Sequence, residues 1–105
     1  MSLRPYGGKV TVGITAKSLT TLLTDAGVSV EQNFFGDLSI QSDPANTVVI
    51  WKGGSNVTPT ANQCGYIVPG GAYSQSLAPG ALSLDSVYLV ASAAGQVVYL
   101  DLVEY

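Results

Sequence analysis

A chain of 105 residues is one domain, long enough to bury a core without metals or disulfides. Its 47% of apolar residues is ordinary, but its 10% of charged residues falls well under the about 25% of an average globular protein. Four basic residues against seven acidic ones leave too little positive charge for nucleic-acid binding, which depends on neutralising many phosphates.

The few charges are unevenly placed. Arg4, Lys9 and Lys17 lie in the first 17 residues, which hold no acid, and from Ser18 onward Lys52 stands alone against seven acids. A mildly basic start on an acidic body suits docking onto an acidic protein surface. The low charge has two readings: a surface dressed in Ser, Thr, Asn, Gln and Gly, or a surface partly covered by other subunits, since interface cores are depleted in charge. The single Cys64 excludes an intramolecular disulfide and is expected as a small buried hydrophobe. The opening MSLRPYGGK lacks the apolar core of a signal peptide, and no run reaches the ~20 apolar residues of a membrane span. A soluble protein made in a cytoplasm is expected, with no membrane partner.

In chain order, residues 1–8 carry Pro5 and Gly7-Gly8 without periodicity and are expected as an extended arm, ahead of a single β-sandwich domain over 9–105. Lys9 to Ala16 alternates, with Val10, Val12, Ile14 and Ala16 on one side, as a half-buried strand does. Ser18 to Gly27 changes period. Leu19, Leu22, Leu23 and Ala26 share one helical face, Ser18 suits an N-cap, and Gly27 suits the position just past the C-cap. Val28 and Val30 suggest a short strand, and Phe34-Phe35 a bend before Gly36.

Alternation resumes from Asp37 to Asp43, with Leu38 and Ile40 inward, and Asp43-Pro44-Ala45-Asn46 is a turn by composition. Thr47 to Lys52 is apolar on both faces, which predicts a strand covered on both sides. Gly65 to Val68, Ala72 to Leu77, Leu82 to Leu84 and Val87 to Ala91 are short strands between Gly and Pro corners. After a turn at Ala94-Gly95, Gln96 to Glu104 is the longest strand, with Val98, Leu100 and Leu102 forming its apolar face. The fold class is therefore mainly β: an antiparallel β-sandwich or jelly-roll-like domain with one short α-helix near residues 18–27.

The residue inventory offers little chemistry. There is no histidine, so the usual serine and cysteine triads and the commonest zinc sites are missing. Cys64 has no CxxC partner, and Lys52-Gly53-Gly54-Ser55 lacks phosphate-loop spacing. The acids are scattered over turns and outward strand positions, as solvated surface charges are. Asp43, Asn46 and Asp85 would make a calcium site only if their loops converged, without any EF-hand spacing to support it. No catalytic residue, metal or cofactor is expected. Trp51, Tyr66, Tyr73, Tyr88, Tyr99 and Tyr105 suggest a sugar-stacking face, which requires exposed, coplanar rings among Trp51, Tyr66 and Tyr73; otherwise they are core or contact residues.

One order of motifs carries a resemblance. An alternating strand, Leu38-Ser39-Ile40-Gln41, precedes Asn46, and the next strand runs into Gly53-Gly54-Ser55-Asn56-Val57-Thr58. Asn62, Gly65, the Val68-Pro69-Gly70 corner and Leu82-Ser83-Leu84-Asp85 follow, and Val87-Tyr88-Leu89-Val90-Ala91-Ser92-Ala93 leads into Gly95-Gln96-Val97-Val98. Together with the helix ahead of it, this resembles small structural proteins encoded among the head and tail genes of tailed bacteriophages, over roughly residues 18–103. The chain departs at Gln63-Cys64 and at an extra Pro79-Gly80 corner.

The resemblance implies a virion component, made in the host cytoplasm and not an enzyme. Specifically, it implies a capsid decoration or cement subunit, or a minor head or tail subunit, that binds the major capsid protein or another virion protein. A homo-oligomer, with a trimer favoured, is expected. In that reading Arg4, Tyr6, Lys9 and Lys17 contact the shell, and Phe34, Phe35, Trp51, Tyr99 and Tyr105 face a sister subunit. Deleting residues 2–8 is expected to abolish shell binding and leave the fold intact. The alternative is a carbohydrate- or host-surface-binding module of a phage fibre or tail.

Overall fold

The first and last strands of the described residues pair with each other. In the computed structural model, which describes residues 4–28, 34–76 and 82–104, strand β1 (Arg4–Val12) runs antiparallel to β9 (Gln96–Glu104) along its whole length, from Arg4 opposite Glu104 to Val12 opposite Gln96. Between them lie β2 (Lys17–Ser18), helix α1 (Leu19–Asp25), β3 (Phe34–Ser42), β4 (Ile50–Gly53), β5 (Gln63–Ile67), β6 (Ala72–Gln75), β7 (Leu82–Ser83), a 3-10 turn (Leu84–Ser86) and β8 (Tyr88–Ala91). One sheet has the order β1-β9-β3-β6, with β7 beside the start of β3; the other has the order β2-β8-β4-β5.

With two-residue β7 set aside, the pairs β1–β9, β2–β8, β3–β6 and β4–β5 are successive rungs of one long folded hairpin, all antiparallel. The further pairs β3–β9 and β4–β8 close each sheet across it. That strand order is a jelly roll. Its core draws on both sheets: Val10, Leu38, Ile40, Val98, Leu100 and Leu102 from one, and Ile50, Ile67, Leu89 and Ala91 from the other. Each fully buried aliphatic side chain contributes about 1.5–3 kcal/mol, so these faces hold the layers together.

The helix forms as its punctuation predicts. The Ser18 hydroxyl accepts from the Thr21 amide at 3.2 Å, and Gly27 takes φ +84° just past the end. The Gly27 amide donates to the Thr24 carbonyl and the Val28 amide to the Leu23 carbonyl, a paired C-terminal closure. Leu19, Leu22 and Leu23 are buried, whereas Ala26 at the C-cap is exposed. A helix of 7 residues is marginal alone, and its leucines anchor it on the core.

Several boundaries differ from the sequence reading. The arm expected over residues 1–8 is, in residues 4–8, the first half of β1. Pro5 is tolerated because β1 is an edge strand, where a missing N–H costs no ladder bond on the free side. Gly7 has φ +137°, and a Cβ there would lie 2.1 Å from the Leu100 carbonyl oxygen, so glycine marks a close backbone approach. The strand expected to run to Ala16 stops at Val12. The chain crosses there to the second sheet, the Gly13 carbonyl accepts from the Ala91 amide at 2.9 Å, and Ile14 is left 66% exposed. The strand expected from Thr47 begins only at Ile50. The suggested strand at Val28 and Val30 falls largely on residues 29–33, outside the described residues.

Candidate interaction site

The 43–49 loop, where the chain passes from β3 to β4, is fastened to β9 by side chains. Asn46 lies where β3 has left the sheet, and its amide replaces a strand peptide. Nδ2 donates to the Val97 carbonyl at 2.7 Å and to Ser42 Oγ at 2.8 Å, while Oδ1 accepts from the Val97 amide at 2.7 Å. The buried Gln96 side chain works beside it: Oε1 accepts from the Thr47 and Val48 amides, and Nε2 donates to Thr47 Oγ1 and the Ala94 carbonyl. Asp43 closes the turn, with Oδ1 accepting from the Ala45 amide at 2.8 Å and Oδ2 from the Tyr99 hydroxyl at 2.6 Å. The Tyr99 hydrogen bond, helped by the Ala45 amide, holds the Asp43 carboxyl below its usual range, and the same bond raises the Tyr99 phenol. Asp43 and Asn46 are thus engaged with β9 in a structural fastening.

A second ordered loop prepares an apolar face. Gly53 ends β4 where a Cβ would meet the Asn62 carbonyl oxygen at 2.7 Å and the Val57 side chain at 2.8 Å. Val57 is buried as the plug of the loop, and its amide donates to the Gly54 carbonyl. Thr58 Oγ1 accepts from the Ala61 and Thr60 amides. The β4–β5 register shifts between Lys52 and Gly53, so Cys64 falls at the bulge. Cys64 is exposed, contrary to the expected buried position: it is the extra residue of the bulge and has no residue opposite it on β4.

Beyond the bulge, Trp51 of β4 stands opposite Tyr66 of β5 and Val90 of β8. The Trp51 and Tyr66 ring centroids are 5.7 Å apart and the planes are tilted by 56°. Val90 is buried beside Trp51, Trp51 is half-buried, and Tyr66 and Val68 are 64% and 47% exposed. Rather than being covered on both sides, β4 therefore has a core face at Ile50 and an accessible aromatic face at Trp51. Tyr73 is not part of it: it sits on β6 in the other sheet, with Lys52 Nζ 4.7 Å above its ring, and donates to Gln75 Oε1. The expected trio of Trp51, Tyr66 and Tyr73 is thus split, and its two adjacent members are not coplanar.

The other expected contact residues do not converge. Tyr99 lies on β9 in the first sheet, between Lys9 of β1 and Gln41 of β3, so it cannot share a surface with Trp51 of the second sheet. Lys9 is exposed on β1, while Lys17 is on β2 with its ammonium 3.0 Å from Asp25 Oδ2. The side chains of Arg4, Tyr6, Phe34 and Phe35, and Tyr105 altogether, lie outside the described residues.

Open clefts also mark the surface of the described residues. One of about 210 Å³ is lined by Asp37, Ser39, Ser74, Gln75 and Asp101, and one of about 370 Å³ by Thr11, Ile14, Lys17, Asp25 and Gly95. Among the described residues no group of three or more Cys, Asp or Glu could hold a metal, and no helix is long and apolar enough to cross a membrane. The arrangement offers contact surface: an aromatic face on a rigid sheet, beside an edge strand. No protein family, curated protein or solved structure matches the chain.

Proposed function

We propose that this chain is a non-enzymatic virion structural protein, a capsid decoration or cement subunit that binds and stabilises a phage head shell as a homo-oligomer. The observation that carries the reading is the accessible Trp51–Tyr66–Val68 face. Large apolar and aromatic groups held rigidly on a sheet are what a protein–protein contact needs. The motifs behind the phage resemblance fall on the features that build this face: Gly53 to Thr58 forms its loop, and Asn46 and Gln96 fasten the strand leading into it. Jelly rolls serve in viral capsid domains and in lectins, so the fold is compatible with the role without assigning it.

The basic residues of the N-terminal part, Arg4 and Lys9 on β1 and Lys17 on β2, together with Tyr6, are the proposed shell contact. Deleting residues 2–8 no longer tests it, because residues 4–8 pair with β9 and their loss damages the fold. Lys9→Glu is the clean probe. Wild-type protein should co-sediment with purified phage shells and Lys9→Glu should be released at lower salt; wild-type protein that stays in the supernatant at low salt would overturn the shell reading. The exposure of Tyr66 keeps a second reading in view, a carbohydrate-binding module of a fibre or tail, which predicts glycan binding lost in Tyr66→Ala.

A further inference from the structure

The second sheet ends in β5, and no strand pairs with its outer side among the described residues. An exposed edge is a template for another strand, and proteins ordinarily guard it with charge, proline, irregularity or brevity. The other sheet edges among the described residues carry such guards, and β7 is only two residues long. β1 has Pro5, Lys9 and the irregular backbone at Gly7; β2 is two residues long and holds Lys17; β6 has four residues and turns polar Ser74 and Gln75 to solvent. β5 lacks charge and proline, and its irregularity is the bulge at Cys64. Its five residues, Gln63 to Ile67, are uncharged, and they lie within residues 53–84, which contain no Asp, Glu, Lys or Arg at all. Tyr66 and Cys64 stand exposed along it, and Trp51 continues the aromatic band one strand inward.

We infer that the occupant of this edge is β5 of a second copy of the chain, paired antiparallel about a two-fold axis. Charge decides between a copy and a foreign partner. In a two-fold contact every residue meets its own surface, so a charged edge would oppose its like, whereas a charge-free edge meets itself without penalty. A foreign acidic or basic partner would find no counter-charge anywhere in residues 53–76. The register with complete overlap centres on Gly65, placing Tyr66 opposite Cys64 of the partner subunit. The two four-stranded sheets then become one continuous sheet, and the Trp51–Tyr66 pairs of both copies line one face across the axis. This two-fold differs from the three-fold assembly expected from the sequence. It rests on the homo-oligomer proposed above but not on shell binding, which is measured separately.

The test uses the purified protein alone. Sedimentation equilibrium at ~100 µM, where a micromolar contact is populated, should give twice the 10.8 kDa chain mass. In the stated register the two Cys64 residues are diagonal neighbours about 7–8 Å apart, too far for a direct disulfide, so a short bismaleimide should join them and oxidation should not. Tyr66→Lys, and separately Cys64→Lys in case the first fails to fold, should weaken the dimer about tenfold or more by setting charges across the axis. Ile14→Lys, equally exposed on a distant loop, should leave it unchanged. A monomeric wild type would overturn both this contact and the homo-oligomer. A trimer, or a dimer indifferent to both β5 substitutions and refractory to the cross-linker, would overturn this contact alone.

Discussion

Replacing Asn46 by alanine tests whether one side chain holds the crossing between the sheets. The substitution removes three hydrogen bonds of 2.7, 2.7 and 2.8 Å. At a net ~1 kcal/mol each they would account for about 3 kcal/mol, and the Val97 amide, left without its acceptor, adds up to ~1 kcal/mol where water reaches it poorly. Since Val97 is half-buried and partial hydration offsets part of the loss, the expected cost is about 2–4 kcal/mol. In urea, with a slope of about 2 kcal/mol per molar, the middle of the usual range for small proteins, the midpoint should fall by ~1–2 M with the slope unchanged. Gln41→Ala, at an exposed position on β3, is the control and should stay within ~0.5 kcal/mol. A loss under ~0.5 kcal/mol for Asn46→Ala would refute the assignment, and the 43–49 loop would have to be held by other groups.

Two further outcomes follow from the geometry. Gly7→Ala forces a Cβ against the Leu100 carbonyl in a backbone conformation that disfavours side chains, so it should cost at least ~2 kcal/mol and expose the β1 amides to hydrogen exchange; protected β1 amides would contradict the close approach. Asp43 titrates below its unfolded value, so its contribution to stability is complete above the ordinary carboxylate range and lost as pH falls through the folded value. Tyr99 titrates above its unfolded value, so its contribution is lost as pH rises through the folded phenol value. Tyr99→Phe should move the Asp43 carboxyl back up in a carbon-13 titration and flatten the acid-side loss of stability; an unmoved Asp43 would show that the hydroxyl is not the cause.

Periodic elements were readable because their signal is local. The leucines of α1 with Ser18 and Gly27, and Val98, Leu100 and Leu102 of β9, each announce their buried face within one element. β1 before Lys9 was hidden by Pro5 and Gly7-Gly8, which read as loop unless the strand is known to lie at an edge. Ile14 looked inward because alternation does not reveal where a strand ends. Asn46 and Gln96 stood out in the sequence as motif positions without a reason; the reason is partners 51 and 49 residues away. The Trp51–Tyr66 face was half legible. The residue types were visible, but which sheet and which side each ring takes depends on register across strands, and this separated Tyr73 and Tyr99 from it.

The folded-hairpin order has a consequence for how such a chain comes off the ribosome. β8 lies between β2 and β4, and β9 between β1 and β3, so the two strands made late occupy the interior of both sheets. Among the described residues β1 has β9 as its sole strand partner and must wait through the synthesis of residues 13–95 to meet it. A nascent chain halted before residue 88 is therefore not a smaller version of the domain. It is a set of hairpins with open apolar faces and a long charge-free span, and it would depend on chaperones or be degraded until the β8–β9 pair arrives to close both layers at once.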